Sequence, residues 1–260
     1  MNETSTVKSY AEEANAPNKS NPMRLFYTVA AAVLLAVTFI GFQQFYLHGR
    51  AVGDRPIPPK AQLLTVIHGV TMSAWIILFL IQPWLIVSGN RRQHIILGRV
   101  GAILALAIIG IGVFMAIHSV RVSPHDGLFH GLTQNQFLAI PLTDIAKFAI
   151  FVTIGVLARR RAEIHRPMML LATLSLATAA AARIGALTRP YYETFLDNLF
   201  GPLLPILVLG GLFLVAQRLL AHRFDRYYAL GFAGLVVTAP LIMSLARTEA
   251  WGRFAAFLVG

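Results

Sequence analysis

Four histidines are the residues in this sequence best suited to metal or redox chemistry: His68, His94, His118 and His165. A neutral imidazole can bind haem iron or copper, and the chain has no cysteine that would compete as a ligand. His68 and His118 fall towards one end of the predicted helices, and His94 and His165 towards the other. We therefore predict all four as ligands of a haem cofactor, with His68 and His118 also predicted as a metal-binding pair.

A second set of residues predicts a ligand pocket near His68 and His118: Trp75, Asp144, Lys147 and Arg183. Ionisable groups in apolar stretches are costly, so each suggests a function. Asp144 and Lys147 are three residues apart and share a helix face, which predicts an ion pair within the helix. The pair either connects its helix to the neighbouring helices or forms a proton or anion site.

These residues lie in a chain whose composition is that of an integral membrane protein. Of 260 residues, 57% are hydrophobic and 13% are charged, about half the charge of a typical soluble domain. The absence of cysteine excludes disulfides, thiolate zinc sites and cysteine-bound iron–sulfur clusters. The basic residues lie mostly beside apolar runs, so they indicate membrane topology and not nucleic-acid binding.

Seven apolar runs, each long enough to cross a bilayer, predict an all-α fold, an integral membrane bundle of seven transmembrane helices. The runs lie at about 25–46, 62–88, 95–120, 137–158, 167–187, 202–220 and 227–246. The predicted domain boundaries are a disordered tail over 1–22, the transmembrane domain over 23–246 and an interfacial segment over 247–260.

The distribution of lysine and arginine predicts the orientation of the bundle. Thirteen of them fall in the N-terminal tail and in the loop regions between runs two and three, four and five, and six and seven, against seven on the other side. The positive-inside rule then places the N-terminus in the cytoplasm and the C-terminus outside. His68 and His118 would lie near the outer face, and His94 and His165 near the cytoplasmic face.

Two of the cytoplasmic turns resemble each other. Arg91-Arg92-Gln93-His94 leads to Gly98-Arg99 and the third run, and Arg161 to Arg166, with His165 in it, leads into the fifth run. The helix pairs two–three and four–five therefore read as a degenerate repeat. The basic residues have two alternative roles, in topology and contact with anionic lipid, or in an anion or cofactor site.

The same segments carry a family resemblance. His94-x3-Gly98-Arg99, His165-Arg166 and Trp251 near the C-terminus are similar to motifs of bacterial multi-pass predicted membrane proteins of unknown function. The resemblance covers about 62–255 and implies a helix bundle in the bacterial inner (cytoplasmic) membrane. A fainter resemblance to transmembrane cytochromes b implies b-type haem held between histidines of neighbouring helices, although the fourth run here has no histidine.

Three functions remain open from the sequence. The first is a membrane oxidoreductase or electron-transfer protein with b-type haem, and the second a transporter of a small anion or proton-coupled solute. The third is a non-catalytic subunit or sensor with an outward-facing pocket. The expected partners are the lipid bilayer, a quinone or small anionic ligand, and a membrane-complex partner or a second copy. Nucleotide-binding and hydrolase motifs are absent from the sequence.

Overall fold

The computed structural model describes residues 22–51, 55–122, 127–222 and 224–260, and this part of the chain is almost entirely helical. The predicted tail over 1–22 lies outside the described residues, apart from Pro22. The helices are α1 (Pro22–Gly41), α2 (Gln43–His48), α3 (Pro59–Val87), α4 (Arg91–Val122), α5 (Gln134–Phe137), α6 (Ala139–Leu157), α7 (Ala162–Leu176), α8 (Thr178–Ala181), α9 (Gly185–Thr188), α10 (Phe195–Phe200), α11 (Leu204–Ala221), α12 (Arg226–Ala246) and α13 (Glu249–Val259). Strands β1 (Arg50–Ala51) and β2 (Arg55–Pro56) form a short antiparallel pair.

Five helical stretches of the described chain are long and apolar enough to cross a membrane. They are Pro59–Val87, Arg91–Val122, Gln134–Leu157, Phe195–Ala221 and Arg226–Ala246. The other two predicted spans are also helical, but the first is a shorter apolar helix, Leu25–Gly41, and the fifth is divided into α7 and α8. The bundle is therefore an all-α fold of membrane-spanning type.

The outer surface of the bundle is apolar, as a bilayer requires. Leu106 in α4 and Leu230 in α12 are 71% and 72% exposed. The interior contains leucines of α1 and α7 with Tyr228 and Met243 of α12, all nearly inaccessible. Because water is absent from the hydrocarbon core, exposed apolar side chains there carry none of the cost they would have in a soluble protein.

Two helical hairpins position the histidines. Helix α3 packs along α4, and α6 packs along α7. Their turns span only residues 88–90 and 158–161. In each hairpin the second helix begins three residues before a histidine, so His94 and His165 are both the fourth residue of their helix. The structure thus supports the repeat that the sequence suggested.

Polar caps and turns fix the helix ends. Asp225 accepts hydrogen bonds from the backbone N–H groups of Tyr227 and Tyr228 and so caps the start of α12 (3.0 and 3.1 Å). Thr248 caps α13 through Trp251 N. The Trp251 ring of that helix donates to Asn135 O and packs with the cluster formed by Ala116, Leu138 and Ala255.

Candidate functional site

His94 and His165 meet at one end of the bundle. Their ring centres are 6.3 Å apart, with the ring planes perpendicular. His165 Nδ1 donates to Gly155 O of α6 (2.8 Å), because a carbonyl oxygen can only accept. The neutral ring therefore carries its proton on Nδ1, and its Nε2 lone pair stays available. We call these two residues the inner histidine pair.

Gln82 holds the other ring of the inner histidine pair. Its backbone oxygen is 3.3 Å from His94 Nδ1. One orientation of the Gln82 side-chain amide gives partners to both of its ends. In that orientation Gln82 Oε1 accepts from Gly98 N (2.9 Å), and Gln82 Nε2 donates to His94 O (3.2 Å) and also faces His94 Nδ1. The amide thus contacts both His94 and Gly98, which lie one helical turn apart. The choice between backbone oxygen and amide nitrogen as the Nδ1 partner decides which nitrogen of His94 is free.

His68 and His118 have separate partners. His118 Nε2 lies 3.2 Å from Lys60 O at the start of α3, and its ring stacks on Phe114. His68 is eight residues further along α3, about 12 Å by helical rise. It lies close enough to Arg183 for the two to interact electrostatically. No ring contact joins His68 to His118 among the described residues, so this arrangement does not bring the predicted outer pair together.

Asp144 and Lys147 form the ion pair that their spacing predicts. Lys147 Nζ is 2.6 Å from Asp144 Oδ1, and both side chains are largely buried. The Thr178 hydroxyl also faces Asp144. Thr178 begins α8, directly after the break at Ala177, so a buried charged pair lies beside an interrupted helix.

Arg183 and Trp75, the other two predicted pocket residues, face different neighbours. The Arg183 guanidinium lies 4.7 Å from the centre of the Phe42 ring and donates to Ala179 O. Trp75 is buried, packs edge-on against Phe148 and donates to Thr173 Oγ1 (3.2 Å). The structure therefore pairs Asp144 with Lys147 and places Arg183 within electrostatic range of His68.

A buried histidine–aspartate pair lies at the opposite end of the bundle from the inner histidine pair. His130 Nδ1 contacts Asp197 Oδ1, and the two residues are 2% and 4% exposed. Asp197 Oδ2 accepts from Glu193 N (3.0 Å). The intervening helix α4 has 32 residues, about 48 Å of rise, which separates the two ends. We call this second site the His130–Asp197 dyad.

Aromatic rings and strained backbone surround the His130–Asp197 dyad. The rings of Phe129, Tyr191 and Tyr192 lie 4.5, 6.2 and 5.6 Å from that of His130. Both His130 and Glu193 have positive φ angles (52° and 60°), an uncommon conformation for residues other than glycine. Burial, and then the Asp197 carboxylate, raise the pKa of Tyr191, whose hydroxyl donates to Gly201 O (3.0 Å).

The sequence does not reveal that His130 and Asp197 form a pair. His130 and Asp197 are 67 residues apart, and no local spacing relates them. Two signals were available: His130 precedes Gly131 in a short loop, and Asp197 is an acidic residue in the otherwise apolar segment Phe195–Phe200. Neither identifies the partner.

No protein-family model, curated protein or solved structure matches this chain. The case for a function therefore rests on the sites themselves. Among the described residues there is no group of three or more His, Asp or Glu side chains that could hold a metal ion.

Proposed function

We propose that this protein is a seven-helix membrane redox protein that binds b-type haem at the inner histidine pair. In this proposal α1 and the α7–α8 segment complete the seven spans, and the N-terminus lies in the cytoplasm of a bacterial cell. The observation that carries the proposal is the contact between His94 and His165. Each histidine lies at the same position in one of two equivalent helical hairpins.

The spacing of the two rings supports a shared metal. Two metal–nitrogen bonds of about 2 Å each, with the ring radii added, place the ring centres about 6 Å apart. The measured separation is 6.3 Å. The Nδ1 atom of His165 is bound to a backbone carbonyl of the preceding helix, and that of His94 has such a carbonyl within reach. Metal-binding histidines usually have their second nitrogen bound in this way, because it fixes the tautomer and the ring orientation.

Each residue around the pair has a defined role in this proposal. Gly155 O holds the Nδ1 proton of His165, so Nε2 of that ring is free to act as a ligand. His94 becomes equivalent when its Nδ1 donates to Gln82 O, which requires the amide nitrogen of Gln82 to move away from that ring nitrogen. The bound haem would exchange one electron at a time with a donor and an acceptor.

An absorption spectrum of the purified protein tests the proposal. We expect a Soret band that shifts on reduction with dithionite, and its loss in His94→Ala and in His165→Ala. His118→Ala is the matched control and should keep the band, because His118 contacts the distant Lys60 O. A protein without a Soret band in either redox state would overturn the proposal, and loss of the band in His118→Ala alone would move the site to the other end.

A second candidate function is transport of a small anion or a proton-coupled solute. The observation that favours it is the buried Asp144–Lys147 pair beside the break between α7 and α8. Transporters form ion sites where helices are interrupted near the membrane centre, because the free backbone groups there can bind substrate. Lys147 would bind the charge of an anion, with Asp144 exchanging the proton.

Uptake into reconstituted vesicles tests the second candidate. Lys147→Met should abolish uptake of a transported anion, whereas Arg99→Met at the exposed start of α4 should leave uptake unchanged. Equal uptake by Lys147→Met and the wild-type protein would exclude Lys147 from the transport path.

A further inference from the structure

The His130–Asp197 dyad has the form of a pre-oriented hydrogen-bond acceptor. A carboxylate that accepts the Nδ1 proton of a histidine holds the ring in one tautomer and leaves Nε2 with a lone pair. Asp197 is itself fixed by a second donor, Glu193 N (3.0 Å). His130 Nε2 has no hydrogen-bond partner among the described residues. In the neutral ring, Nε2 is therefore available to accept a hydrogen bond.

The backbone conformation at the dyad is uncommon for residues other than glycine. His130 and Glu193 both adopt left-handed conformations, and each supplies a part of the dyad, one its ring and the other its N–H group. Residues held in such conformations are found preferentially at functional sites, where the surrounding structure holds them in place. The two left-handed residues are therefore consistent with a binding role for the dyad.

The surroundings of the dyad indicate the kind of ligand it would accept. Phe129 and Tyr192 pack against the ring of His130 and are themselves 45% and 44% exposed, so the dyad lies close to the protein surface. Leu128 and Phe195 next to them are 62% and 75% exposed. An apolar, aromatic rim at the end of a membrane bundle favours a planar ligand that arrives from the lipid phase.

We propose that the His130–Asp197 dyad binds a lipid-soluble phenol of the hydroquinone class. A ligand hydroxyl donates to His130 Nε2, and the ligand ring packs against Phe129 and Tyr192. An acceptor nitrogen backed by a carboxylate selects a ligand with a hydroxyl donor and disfavours an anion. This binding site is independent of the inner histidine pair, which lies at the other end of the bundle.

Two matched ligands test the proposal on the unmodified protein. A short-chain alkyl hydroquinone, kept reduced under anaerobic conditions, is titrated calorimetrically into the protein in lipid nanodiscs and compared with its dimethyl ether. The ether has the same ring and chain but no hydroxyl donor. We expect the ether to bind at least about tenfold more weakly, the effect of one well-placed hydrogen bond. Equal affinities, or no binding of the hydroquinone above partition into empty nanodiscs, would overturn the proposal.

The variant His130→Asn tests whether His130 forms the binding site. His130→Asn removes Nε2, keeps an N–H donor beside Asp197 and suits the positive φ angle, which asparagine tolerates well. The matched control is His222→Asn, an exposed histidine with nearly the same backbone conformation (φ 56°) elsewhere. We expect His130→Asn to bind the hydroquinone and its ether equally weakly and His222→Asn to behave as wild type. A His130→Asn protein that still distinguishes the two ligands would exclude the dyad as the site. Neither result depends on the Soret band that tests the haem proposal.

Discussion

At the scale of single residues, the buried side-chain amide of Gln217 lowers the stability of the fold. It is 0% exposed, and neither its amide oxygen nor its amide nitrogen has a hydrogen-bond partner among the described residues. It lies on the face of α11 that also presents Phe213, which packs edge-on against Phe26 of α1. A buried polar group without a partner costs about 1–3 kcal/mol.

We expect Gln217→Met to stabilise the protein by about 1–3 kcal/mol, because methionine keeps the length of the side chain and removes the unpaired amide. The measurement is thermal unfolding in a mild detergent. Gln82→Met is the matched control and should destabilise the protein, since its amide bonds to His94 O and Gly98 N. A destabilised Gln217→Met protein would indicate that the amide has a polar partner, such as a buried water.

Residue chemistry could be predicted from the sequence where it depends on local spacing. Asp144 and Lys147 pair because three residues bring their side chains to one helix face. His94 and His165 could be matched because each follows a similar basic turn. His130 and Asp197 could not be matched, because only the fold of the loops brings them together. Trp75 shares a helix face with His68, yet it contacts Phe148 and Thr173, which only tertiary packing decides.

At the scale of elements, the backbones of α1 and α8 approach each other closely at Gly41. A Cβ atom added at Gly41 would lie 2.2 Å from Ala180 O. Small residues allow such approaches, and a membrane bundle depends on close packing more than a soluble protein does, because lipid is as apolar as the helices. The small residues from Ala179 to Ala182 permit close packing here, but they do not identify the partner helix.

We expect Gly41→Ala to destabilise the bundle by about 1–3 kcal/mol, because backbone cannot move aside as a flexible side chain can. Gly110→Ala in α4 is the matched control. Nothing lies within 4 Å of a Cβ atom at Gly110, and alanine is the better helix former, so this variant should be neutral or slightly stabilising. Thermal unfolding in detergent compares them, and equal midpoints for the two variants would contradict the close contact.

The break between α7 and α8 is a helix boundary that the sequence does not predict. The sequence predicts one span over 167–187, and residues such as Ala179 and Ala180 are strong helix formers. In the structure the helix ends at Leu176, and Thr178 donates to Ser175 O (3.3 Å). Hydroxyl groups that bond back to the preceding turn bend helices, although the same residues are also common within straight ones. Thr178 also faces Asp144 of α6, and that contact between helices cannot be deduced from local sequence.

At the scale of the whole molecule, the distribution of lysine and arginine predicts the orientation in the membrane. Labelling of single introduced cysteines can test that orientation. Because the chain has no cysteine, a single introduced cysteine is the only thiol. Asn90 and Asn198 are both exposed, the first in the turn before α4 and the second in α10, at opposite ends of the bundle. Replacing each with cysteine leaves the net charge unchanged, so the charge distribution that directs insertion stays intact.

We expect a membrane-impermeant maleimide added to intact spheroplasts to label Asn198→Cys and to leave Asn90→Cys unlabelled until the membrane is permeabilised. The reason is the excess of lysine and arginine on the Asn90 side, which the positive-inside rule retains in the cytoplasm. The reverse pattern would place the inner histidine pair outside and the His130–Asp197 dyad in the cytoplasm. Labelling of both cysteines in intact cells would contradict an odd number of spans between the two positions, and with it the proposed seven-helix topology.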